Sequence, residues 1–105
     1  MVQEVSIQEL DQAIASGARV IDVRELDEFD AGHVPSAIHI PLNSIPERLG
    51  EIPTSQRLWL ICKSGGRSMT AANYLEAQGF DVVSVAGGTM GWIAAGKPVS
   101  FEASK

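Results

Sequence analysis

The chain has 105 residues, 45% of them hydrophobic and 20% charged, enough for one compact core and too few for two ordinary domains. Eight basic against thirteen acidic residues give a formal net charge of -5, which disfavours nucleic acid and anionic membranes as partners, and no apolar run is long enough to span a bilayer. A single cysteine excludes an internal disulfide and a multi-cysteine zinc site, so Cys62 is buried filler, a reactive thiol or an intermolecular link.

Taken in chain order, the first residues lack the positive and apolar regions of a secretory signal, so a cytoplasmic location is expected. Ser6 and Glu9 have the spacing of a capping box, and Ile7, Leu10, Ala13 and Ile14 share one helical face before Gly17. A helix is expected over about 7–16. The β-branched run Val20-Ile21-Asp22-Val23 suits a buried strand, and the acidic stretch 25–30, ending at Gly32, suits a short helix. Ala37-Ile38-His39-Ile40 reads as a brief strand stopped by Pro41, and Ser44 with Glu47 repeats the capping pattern, so a second helix is expected there.

Leu58-Trp59-Leu60-Ile61 is apolar enough for a strand covered on both faces, and it leads directly into Cys62. Met69, Ala72, Tyr74 and Leu75 fall at roughly helical spacing, which predicts a helix from about Ser68 to a stop at Gly79. Val82-Val83-Ser84-Val85 gives another strand, Gly87-Gly88 a turn, and residues 89–95 a last helix closed by Gly96 and Pro98. The expected organisation is one domain over 1–105, its core about 6–99, with 100–105 a loosely held tail. Alternating strands and helices imply right-handed crossovers and a mainly parallel sheet between helical layers, an α/β/α architecture. Sites in such sheets form beyond the carboxyl ends of the strands, where both Cys62 and the segment Asp22-Val23-Arg24 fall.

The loop Cys62-Lys63-Ser64-Gly65-Gly66-Arg67 carries the chemical argument. Gly65 and Gly66 permit a tight curl that turns peptide N–H groups inward, and a helix opening near Ser68 adds unpaired donors and a positive dipole end. Lys63 and Arg67 add full charges. These effects favour a thiolate: a free cysteine titrates near about pH 8.5, and sites of this kind lower that to roughly 3.5–7.5. An ionised sulfur among spare donors suits an anionic substrate with a good leaving group, and thiosulfate fits. The chemistry requires no metal and no organic cofactor.

Three separated segments resemble the rhodanese family over most of the chain. Ile21-Asp22-Val23-Arg24 with Glu28-Phe29, then Gly32-His33-Val34-Pro35-Ser36-Ala37, Ile40 and Pro41, is similar to its amino-terminal signature. Cys62-Lys63-Ser64-Gly65-Gly66-Arg67-Ser68 resembles its active-site loop, and Val85-Ala86-Gly87-Gly88 with Trp92, Gly96 and Pro98 its carboxyl-terminal signature. The resemblance implies a five-stranded parallel sheet, a persulfide on Cys62 cradled by loop amides, and sulfur transfer to cyanide or a thiol. Two-domain members carry an inactive copy ahead of the active one, which has no counterpart here.

The competing readings differ in what they ask of each residue. Arg67 is expected to bind an oxyanion, since a guanidinium suits one, and Ser64 and Ser68 to cap the helix or donate to the anion. The Lys63 side chain can face solvent while its amide serves the loop. Asp22 and Arg24 are expected to form a salt link supporting the loop. His33 and His39 are expected to be structural rather than a cysteine's general base, and Trp59 and Trp92 to pack. A cysteine phosphatase would resemble this loop but place five residues between cysteine and arginine, where Cys62 and Arg67 enclose four. Two other rivals are a noncatalytic docking module and a persulfide carrier within a protein sulfur relay.

Overall fold

The computed structural model describes residues 2–103. Its sheet has five parallel strands in the order β1-β5-β4-β2-β3, with β1 Gln3–Val5, β2 Arg19–Asp22, β3 Ile38–His39, β4 Leu58–Ile61 and β5 Val82–Val85. β4 is central because all its residues are apolar. Leu58 and Leu60 face one helical layer and Ile61 the other, each at most 1% exposed. Removing such a side chain from water contributes on the order of 1.5–3 kcal/mol.

The alternation along the strands sorts the helices into two layers. Ile21, Leu58, Leu60 and Val82 pack with Ala71, Ala72 and Leu75 of α3 (Gly66–Ala77) and with Ile45. Val20, Ile61, Val83 and Val85 pack with Leu10 of α1 (Ile7–Ala15), Phe29 of α2 (Leu26–Asp30) and Trp92 of α4 (Gly88–Ala94). The capping box of α1 forms as expected, with the Glu9 amide donating to Ser6 Oγ at 3.1 Å and the Ser6 amide to Glu9 Oε1 at 3.0 Å.

Three sequence expectations require correction. Strand β1 lies outside the expected core of 6–99; only Val5 of its three residues is buried, too short a pattern for periodicity to reveal, and it is held by parallel pairing with β5. The helix expected at Ser44 is a 3₁₀ segment, Leu42–Glu51, containing Pro46. The segment begins at Leu42, so Ser44 lies inside it rather than at its cap and its Oγ donates to Pro41 O at 2.8 Å; there Pro46 has no N–H for an α-helical bond back to Leu42 O. Ser100, placed in the loose tail, exchanges two backbone hydrogen bonds with His33, at 2.8 and 2.9 Å. No helix among the described residues is long and apolar enough to cross a membrane.

Candidate active site

Strand β4 continues its parity into Cys62, whose side chain joins the α3 layer and is 1% exposed. Helix α3 starts at Gly66, two residues earlier than expected, because Gly65 takes φ +119° and turns the loop back under the sulfur. There the Gly65 amide donates to Sγ at 3.1 Å, and Ser68 Oγ lies 3.5 Å from Sγ. Burial is the largest influence on the thiol and pushes its pKa up. The Ser68 hydroxyl and the amides of Ser68, Gly65 and Ser64 together outweigh it, so the net shift is below the ordinary value of 9.0.

Ser68 holds one hydroxyl proton and has three neighbours for it: Sγ, Gly65 O at 3.2 Å and Ser84 Oγ at 2.8 Å. With a thiolate, the Ser68 proton turns to sulfur and the fully buried Ser84 donates to Ser68. Ser84, read from sequence only as a strand residue, thus supports the charged form from β5.

The loop is held from above by the start of α4. Thr89 N donates to Cys62 O at 2.8 Å and Met90 N to Lys63 O at 3.0 Å. This contact requires Gly88, at φ +57°, because a Cβ there would lie 2.5 Å from Lys63 O and 2.6 Å from Cys62 O. The Gly87-Gly88 pair, expected as a turn and quoted within the carboxyl-terminal signature, is therefore a clasp on the Cys62 loop. Nothing in the sequence marks its partner; the adjacency of β5 to β4 creates the contact.

Asp22 and Arg24 form the expected salt link. Both are buried, with Arg24 Nη2 2.7 Å from Asp22 Oδ2 and 2.9 Å from Gly32 O. The Val23 amide donates to Ile61 O at 3.0 Å, which lays this strand end beside Cys62. Arg67 is placed differently from its expected role as an oxyanion ligand: its guanidinium forks onto Glu28 at 2.7 and 2.9 Å. Glu28, quoted above only within a signature, also accepts the Glu25 amide at 3.1 Å and so ties α2 to the loop. Of the loop residues, Cys62, Ser64, Gly65 and Ser68 converge on the sulfur, Gly66 opens the helix at the surface, and Lys63 is exposed. His33 Nδ1 meets Phe29 O at 2.8 Å and His39 Nε2 meets Arg24 O at 2.7 Å, both rings stacking on Phe29, which are structural placements. Trp92 Nε1 donates to Pro98 O at 2.6 Å from the core, and Trp59 packs against the same layer. A cavity of about 490 Å³ lined by Arg19, His33 and Ser100 includes no loop residue, whereas one of about 220 Å³ between α2 and α4 is edged by Lys63.

Hydrogen bonding to Arg67 lowers the Glu28 pKa from 4.5 to about 2 against the opposing effect of burial. Because the folded value is depressed, ionised Glu28 stabilises the fold fully above pH 4.5 and loses that contribution as pH falls through about 2. Glu28→Gln is expected to cost about 1 kcal/mol at neutral pH, discounted for partial exposure, with the gap from wild type closing in urea denaturation as pH approaches 2. A gap independent of pH would show that the pair contributes nothing through its charge.

The architecture and the loop define a class: a parallel α/β domain with a buried cysteine at a strand's carboxyl end, its sulfur facing main-chain donors. Residues 6–95 match the rhodanese-like domain family, and the chain belongs to it. It is 38% identical over 99 residues to "Putative sulfurtransferase YtwF" of Bacillus subtilis, covering 92% of this chain and 96% of that protein. It is 34% identical over 94 residues to "Putative sulfur carrier protein YrkF" of the same organism, covering 87% of this chain and about half, 51%, of that protein. The crystal structure of a rhodanese-related protein from Thermoplasma volcanium superposes with a TM-score of 0.90 at 31% identity, covering 95% of this chain and 99% of that one.

Proposed function

We propose that this protein is a sulfurtransferase that carries sulfane sulfur as a persulfide on Cys62, and the convergence of amides and the Ser68 hydroxyl on Sγ carries this reading. In the cycle, the Cys62 thiolate attacks the outer sulfur of thiosulfate. A bond forms between the two sulfurs, the original S–S bond breaks, and sulfite leaves with the electron pair. The terminal sulfur of the persulfide then bears the negative charge, which the amides of Ser64, Gly65 and Ser68 are placed to stabilise. Cyanide or a thiol attacks that sulfur, and the Cys62 thiolate departs and is restored. In this reading the Asp22–Arg24 link and the Arg67–Glu28 pair position the loop, and Gly66 is the first residue of α3. A cytoplasmic setting, where a lone thiol stays reduced, suits the cycle.

Mass spectrometry of the intact protein after incubation with thiosulfate is expected to show one added sulfur atom on Cys62, removed by cyanide. No added sulfur and no turnover would leave a noncatalytic docking module as the better reading. The similarity to a protein named as a sulfur carrier supports a second reading, in which donor or acceptor is another protein of a sulfur relay. Loading from thiosulfate that is undetectable beside rapid loading from a protein persulfide would favour that relay.

A further inference from the structure

Ser84 is the one polar residue of β5, set in the run Val82-Val83-Ser84-Val85, and it is fully buried. Its side chain turns to α3, where its Oγ lies 2.8 Å from Ser68 Oγ. A buried hydroxyl in an apolar strand costs stability unless it is bonded, and alanine or valine would fill the place without that demand. Ser68 is the hydrogen-bond partner of this hydroxyl among the described residues, and Ser68 Oγ in turn lies 3.5 Å from Sγ and 3.2 Å from Gly65 O.

These contacts place the protons of the pair. If Ser68 donated to Ser84, the Ser84 proton would be buried with no acceptor among the described residues, which is costly. Ser84 therefore donates to Ser68 whatever the state of the sulfur, and the Ser68 proton has two acceptors left, Sγ and Gly65 O. Gly65 O also accepts the Met69 amide at 3.2 Å, so it keeps a partner when the Ser68 proton turns away. The Ser68 hydroxyl is thus a rotor with two stops. A thiolate draws it to Sγ; a persulfide, whose charge lies on the outer sulfur, releases it to Gly65 O.

We propose that Ser84 is a positioning residue for the second half of the cycle, donating to Ser68 so that the Ser68 hydroxyl swings onto Sγ as negative charge returns there. The inference rests on the sulfur-transfer reading and assigns the pair to one of its two half-reactions. In discharge, cyanide attacks the outer sulfur, the carbon–sulfur bond forms as the S–S bond to Cys62 breaks, and the electron pair goes to Sγ. The Ser68 proton stays on its oxygen and changes only its acceptor. A donor polarised by a second donor bonds a charged acceptor more strongly, so loss of Ser84 weakens the bond to the departing thiolate. Loading runs the other way: charge leaves Sγ, the same bond is given up, and a less stabilised thiolate is no poorer a nucleophile. The pair therefore favours discharge over loading.

The test follows the two half-reactions separately, sulfite release on loading from thiosulfate and thiocyanate formation by preloaded protein in excess cyanide, for the wild type, Ser84→Ala, Ser68→Ala and the double variant. Loading is followed at about pH 10, above the ordinary thiol value of 9.0, so that Cys62 is ionised. Ser84→Ala is expected to slow discharge about threefold, near the lower end of one hydrogen bond's worth, and to leave loading at the wild-type rate or faster. Ser68→Ala is expected to slow discharge about tenfold or more, the worth of a bond to a charged group. Adding Ser84→Ala to it should slow discharge no further, since Ser84 acts through Ser68. A packing defect would instead slow both half-reactions and add its loss in the double variant. Unchanged discharge in Ser84→Ala, equal slowing of loading, or an additive loss would overturn the proposal while leaving the persulfide on Cys62 intact. No persulfide on the wild-type protein from any sulfur donor would overturn both.

Discussion

Cys62→Ser is expected to lower sulfur transfer from thiosulfate to cyanide by at least ~10⁴-fold, the scale lost when a covalent nucleophile is removed. The change exchanges sulfur for oxygen at a site 1% exposed, so packing with Leu60 and Ala71 is nearly preserved. The Gly65 amide, now 3.1 Å from Sγ, keeps an acceptor in the serine oxygen. The same donors that lower the thiol pKa cannot bring an alcohol into the ionised range, and an oxygen cannot form a persulfide. The thermal midpoint should therefore stay within a few degrees of wild type, roughly the effect of 1 kcal/mol, while activity vanishes. Appreciable turnover by the serine variant would remove Cys62 as the carrier and send the search to another nucleophile.

The second large effect belongs to a residue with no reactive atom. Gly88→Ala is expected to cost about 3 kcal/mol, combining left-handed backbone strain with overpacking. Its Cβ would press within 2.6 Å of the Cys62 and Lys63 carbonyls, and relief requires α4 to lift from the loop. Lifting breaks the bonds from Thr89 N to Cys62 O and from Met90 N to Lys63 O, which fix the peptide that bears the sulfur. Activity should fall on the order of 10²-fold, since displacements near 1 Å have that effect on a positioned nucleophile. Gly96→Ala is the control: φ there is +75° but nothing lies within 4 Å of its Cβ, so only strain of about 1 kcal/mol is expected, without loss of activity. Equal losses at the two positions would show that the clasp does not position the loop.

These two residues differ in how far the sequence reveals them. Cys62 is legible because its signals are local: an apolar strand before it, two glycines that allow a curl, and helical spacing after it. The same holds for the Asp22–Arg24 link, whose partners are two residues apart on one strand end. Glu28, Ser84 and Gly88 act on the loop from α2, β5 and α4, at separations the sequence gives no means of pairing. Arg67 shows the cost: read alone it offers an oxyanion ligand, but α2 supplies the carboxylate that takes its guanidinium.

The elements are divided in the same way. Alternation of apolar strands and amphipathic helices determines a parallel α/β/α sandwich by itself, because each period dictates which face must be buried. β1 and the 3₁₀ segment at Ser44 were decided by context. One buried valine becomes a strand only when β5 offers an edge, and Ser44 loses its capping position when the helical segment begins two residues earlier, at Leu42. The sequence alone determined the layered α/β/α plan, four of its strands, the loop and its sulfur. Tertiary structure decided which groups hold that loop in place, because hydrogen bonds and steric contacts depend on proximity in space, which strand order β1-β5-β4-β2-β3 creates and spacing along the chain does not.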